Sequence, residues 1–86
     1  MSQVYPEYPE EARLRGIEDS VLVRYIIDKT GRVREVTILR HAHSPMFDKS
    51  AVKAIRGWRF RPMLESGSPV EVIHELTVNY VLIPMG

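Results

Sequence analysis

The chain has 86 residues, 44% of them hydrophobic, no cysteine and a formal net charge of +1. That length gives one domain, near the size at which a single core is stable without staples, and the missing thiols exclude a disulfide framework, a thiolate metal site and a cysteine nucleophile. No run approaches the roughly 18 apolar residues of a membrane span, and no charged, apolar, small-residue series at the N-terminus reads as a signal peptide.

The charge is unevenly placed. Residues 1–19 carry two Arg against five acids, residues 20–61 ten Lys and Arg against three acids, and residues 62–86 three Glu and no base. A basic middle between acidic ends marks either an anionic partner or, more simply, the solvated faces of the middle elements.

In chain order, YPEYPEEARLRGIEDS opens with two Tyr-Pro pairs. The residue before proline is held out of the helical region, so Tyr5 and Tyr8 are expected to be extended. Pro9 suits the first position of a two-turn helix, with Glu10 and Glu11 on the positive end of its dipole and Gly16 as its stop. SVLVRYIID then alternates as a strand, DKTG closes a hairpin, and RVREVTILR returns. In the return strand the apolar positions switch parity from Val33 to Val36 and Ile38, which a bulge between Arg34 and Glu35 would repair, a shift in pairing being the alternative. Ser44 as N-cap and Pro45 as first residue begin a second helix, with Phe47, Ala51, Ile55 and Trp58 at helical spacing. MLESGSP reads as a loop. The stretch Pro69–Ile83, PVEVIHELTVNYVLI, alternates almost throughout and is expected to be one long final strand, its even positions inward.

This order predicts an α+β fold: a three-stranded antiparallel sheet, order 2-1-3, with two helices packed on one face. The final strand then lies at an edge. Neither proline nor inward charge blocks that edge from Ile73 onward, so it invites a partner peptide laid along it, or is covered by the N-terminal VYPEYP.

Chemistry is sparse. His41 and His43 are two residues apart, with Asp48 nearby and His74 on the last strand, which is a weak zinc pattern; solvated imidazoles are the simpler reading. No nucleophile elbow or glycine-rich phosphate loop is present, so the chain is not expected to be an enzyme, and no cofactor or metal is called for. Residues 49–61 interleave bases with Trp58 and Phe60, as a single-strand nucleic-acid surface does. Trp58 also continues the helix's apolar stripe, which puts it in the core, and nucleic acid is not an expected partner.

Three pieces together, Tyr8-Pro9 with Ala12, Gly31-Arg32-Val33, and Trp58-Arg59-Phe60 with Pro62, resemble the TonB C-terminal domain family, over nearly the whole chain from Tyr8 to about Leu82. The resemblance implies residues 1–86 as one such domain, residues 1–7 forming an extended arm, excised from a longer protein. It implies a place in the periplasm, anchored to the inner membrane by a segment not in this chain. The partners implied are the TonB box of outer-membrane active transporters and, through the missing part, the ExbB–ExbD complex. The implied function is coupling of proton-motive force to uptake of siderophores, haem or cobalamin. Carried over residue by residue, the partner-binding set is Tyr5, Pro6, Glu7, Tyr8 and Pro9 with Val72, Ile73, His74, Glu75, Leu76, Thr77, Val78 and Asn79. An exposed edge also predicts a self-association hazard, a homodimer by edge pairing or strand exchange. The chain departs from the family at Asp19-Ser20, where glycine is common, and at Tyr5, where a polar side chain is expected. The same domain occurs on other envelope and sensory proteins, which is the alternative reading beside a small basic nucleic-acid-binding module.

Overall fold

The computed structural model describes residues 3–83. After an extended arm, α1 (Glu10–Leu14) is a single turn and a half, beginning one residue later than expected because Pro9 serves as its N-cap. Ala12 is its one buried residue, and Gly16 leaves it at φ +67°. Strand β1 (Asp19–Ile27) buries Val21, Val23, Tyr25 and Ile27. Strand β2 (Val33–Arg40) pairs with it antiparallel.

The expected bulge is present. Between the pairs Arg24–Thr37 and Ile26–Arg34, β2 spends one residue more than β1, and Glu35 stands at φ +51°. That extra residue returns Val36 and Ile38 to the face of Val33, all half-buried. A second shift follows at Leu39, between the pairs Val23–Ile38 and Leu22–Arg40. No apolar residue beyond it shows a change of parity, so the pattern held no sign of it.

Helix α2 (Pro45–Arg56) is capped by the Ser44 hydroxyl, which accepts from the Met46 N–H, and it buries Phe47, Ala51 and Ile55 completely. Trp58 extends the stripe, 6% exposed. Lys49, Lys53 and Arg56 face solvent.

The long final strand is broken. Strand β3 (Met63–Glu65) and β4 (Ser68–Val70) form their own hairpin about Ser66 and Gly67, both at positive φ, and Glu71 separates it from β5 (Val72–Tyr80). Pro69 therefore belongs to the small hairpin. Strand β5 pairs with β1 over nine consecutive residues, Asp19 with Tyr80 through Ile27 with Val72, without a bulge. It can be no longer as a paired strand than β1 allows, and β1 ends where Asp28 starts its turn.

The main sheet has the order β2-β1-β5, as the pattern predicts, with helical residues packed on its Val21–Ile27 face. One contact ties the sheet to the chain leaving α2. The Gly31 carbonyl accepts the Phe60 N–H at 2.8 Å, and a Cβ on Gly31 would stand 1.9 Å from the Phe60 oxygen. Gly31-Arg32 and Arg59-Phe60, far apart in sequence, are thus neighbours across a short antiparallel bridge.

Candidate functional site

Strand β5 has β1 on one side only. Among the described residues, no backbone hydrogen bond from any other segment reaches its second edge. Its even positions face inward, Val72 and Leu76 half-buried, Val78 and Tyr80 buried; Ile73, Glu75, Thr77 and Asn79 face solvent. His74, at an even position, breaks the inward pattern. It is exposed, although its Nδ1 lies 2.8 Å from the Tyr25 hydroxyl and its ring packs edge-on to that tyrosine. Glu75 accepts from Arg24, its register partner on β1, at 2.8 and 3.2 Å. Both are half in water, so the pair is worth at most about 1 kcal/mol.

The arm runs close to this edge without joining the sheet. Tyr8 is its root: the hydroxyl donates to the Ile17 carbonyl at 2.5 Å, and the ring packs edge-on against Phe47 and Tyr80. Partial desolvation pushes the Tyr8 hydroxyl above its ordinary pKa, with Glu18 adding to the rise. Farther out, the Ser50 hydroxyl donates to the Glu7 carbonyl and the Trp58 ring N–H donates to the Val4 carbonyl at 2.8 Å. Both tethers run from a side chain to the arm's main chain. Tyr5 is 92% exposed and Glu7 is exposed, while Pro6 and Pro9 are half-buried.

Two clefts flank the arm. One, of about 530 Å³, separates it from α2 at Met46, Ser50, Lys53 and Ala54. The other, of about 260 Å³, lies toward β5 and is walled by Val4, Tyr5, Pro6, Trp58, Leu76 and Val78. The structure thus brings Tyr5 and Pro6 beside Leu76 and Val78. Glu7, Tyr8 and Pro9 instead line the cleft toward α2, with Tyr5 shared between the two. Val4 belongs to the VYPEYP arm expected near the edge, whereas nothing in the pattern marked Ser50 and Trp58 as its anchors, because those contacts span 43 and 54 residues.

The two histidines go separate ways. His41 meets Asp48 at 2.8 Å and His43 meets Asp19 at 3.1 Å, with no third metal-ligating group beside either among the described residues. The His43 and Ser20 backbone N–H groups hold the Asp19 carboxyl below its usual range. Each imidazole meets a carboxylate that also accepts from backbone N–H, Asp48 from Ala42 and Asp19 from Ser20 and His43, which is a structural role. Trp58 is buried between Tyr25 and Phe60, so it offers no open face for a nucleobase.

Residues 4–82 match the family described as Gram-negative bacterial TonB protein, C-terminal. The chain is 38% identical over 69 residues to protein TonB of Vibrio cholerae, covering 80% of this chain and 28% of that protein. It is 38% identical over 65 residues to protein TonB of Pseudomonas aeruginosa, covering 76% and 19% respectively. The solution structure of the P. aeruginosa TonB C-terminal domain superposes with a TM-score of 0.85 at 29% identity, over 100% of this chain and 87% of that one. TonB2 of Vibrio anguillarum superposes at 0.77 and 27% identity, over 98% and 80%. The chain spans less than a third of these curated relatives' length.

Proposed function

The chain belongs to the family of Gram-negative bacterial TonB C-terminal domains, and from that premise we propose that the free edge of β5 receives the TonB box of an outer-membrane active transporter as an added strand. The family is one of non-enzymatic interaction domains of energy transducers. The observation that supports the reading is the edge itself: nine residues paired on one side, open on the other, with an arm alongside that leaves the backbone row free. Main-chain hydrogen bonds give affinity in such docking and side-chain pockets give selectivity.

On this reading residues 1–86 form one domain with residues 1–7 as its arm. Tyr5–Pro9 and Val72–Asn79 are the contact set. The parent protein is held at the inner membrane with this domain in the periplasm, driven by ExbB–ExbD, and the work supports uptake of siderophores, haem or cobalamin. Each backbone bond contributes about 0.5–1.5 kcal/mol net, so a short peptide binds modestly and reversibly.

Titration with N-terminal peptides of outer-membrane receptors, followed by amide shifts, tests the reading. Perturbation is expected along Val72–Tyr80 and Gln3–Glu7. Shifts confined to His41–Asp48 or Arg56–Arg61 would place the partner elsewhere.

A further inference from the structure

An added strand on β5 would lie about 4.8 Å beyond it and send alternate side chains to the helix face. Those side chains arrive beside Leu76 and Val78, which is where the 260 Å³ cleft opens. We propose that this cleft is a pocket for one branched or aromatic apolar side chain of the docked strand, and that Trp58 is the residue that positions its far wall. The inference rests on the strand-addition reading and goes beyond it by naming the side-chain class and the groups that select it.

Size and chemistry agree. An apolar cavity of about 150 Å³ suffices for benzene, so the cleft has room for valine, leucine or a phenyl ring. None of the residues lining it is charged, so a carboxylate or ammonium entering it would be stripped of water without a partner. Alanine would leave most of the space unfilled.

The far wall consists of the arm, and its place is set by a single directed bond. The indole of Trp58 is wedged edge-on between Tyr25 and Phe60, at centroid distances of 6.0 and 6.2 Å. Its one donor goes to the Val4 carbonyl. Because the acceptor is main chain, residues 4–6 can change their side chains, and so the pocket's shape, without changing its width. Nothing else tethers Val4 among the described residues; the next anchor is Ser50 at Glu7.

The test uses blocked seven-residue peptides, threonine throughout except for a central Ala, Val, Leu, Phe or Glu, titrated against the whole chain with amide shifts as readout. The wild type is expected to prefer valine, leucine or phenylalanine over alanine by roughly tenfold, and to reject glutamate. Trp58→Phe keeps an aromatic ring in the core and removes the N–H. It is expected to release the Gln3–Pro6 amides and to reduce that preference to less than about threefold, while peptide shifts on β5 persist. Leu76→Phe, at a half-buried site that tolerates a larger ring, is expected to fill the pocket and favour alanine. Retained preference in Trp58→Phe with a released arm overturns the positioning role. Docking on β5 without apolar preference in the wild type overturns the pocket. Peptides that leave the β5 amides unmoved overturn strand addition and the pocket with it.

Discussion

A methyl group at Gly31 would overlap the Phe60 carbonyl oxygen, and the site's φ of +88° disfavours any other residue. Gly31→Ala is therefore expected to cost about 2–4 kcal/mol, read as a lower urea midpoint with the transition slope unchanged. Beside it, Asp28 is 6% exposed and accepts from the Thr30 hydroxyl and N–H, the Arg32 N–H and the Arg34 guanidinium. The Thr30 hydroxyl and Arg34 hold its carboxyl well below the usual carboxylate range. A carboxyl whose pKa falls on folding stabilises the fold fully above its unfolded value, about 4, and loses that contribution as pH drops through the folded value. Asp28→Asn should thus be less stable than wild type at neutral pH, and the gap should narrow steadily below pH 4 in parallel urea titrations. Both residues stand out in the sequence as turn chemistry. That the turn also receives Phe60 does not, since only the fold brings residues 31 and 60 together.

For the elements, periodicity sufficed wherever a strand or helix buries one face. Val21 to Ile27, the parity switch before Val36, and the stripe from Phe47 to Trp58 each reported their own packing. It failed in PVEVIHELTVNYVLI, whose alternation continues past the residues that β1 can pair. The Ser66-Gly67 turn was the missed signal, masked by a proline in what became β4. The site's backbone row was legible as an unblocked edge, whereas its second wall was not, because it depends on side chains reaching a distant main chain. In a strand, consecutive N–H groups point to opposite edges. One of Thr77→Pro and Val78→Pro should therefore abolish peptide binding in a folded domain, and the other should break the β1 ladder and unfold it. Heteronuclear NMR of both variants, with and without peptide, separates the two; equal behaviour would contradict an edge-bound partner.

At the scale of the molecule, the order β2-β1-β5 leaves an open row, and on the proposed function that row is available to a second copy as well as to a peptide. Self-association and peptide docking then exclude each other. Sedimentation equilibrium at high protein concentration is expected to show a mass that falls toward the monomer as peptide saturates; a mass indifferent to peptide would put the contact on another surface. The arm carries a further consequence under tension. A pull through the chain preceding Gln3 meets the Trp58–Val4 and Ser50–Glu7 tethers one after another before it reaches Tyr8. On the proposed function, a peptide laid along β5 shares a load among its bonds if it is pulled in shear and releases them one by one if it is peeled. On the same reading, the arm's side-chain tethers are expected to yield before the β5 ladder, lengthening the connection by several residues while the docked peptide holds, as a slipping strap spares the buckle.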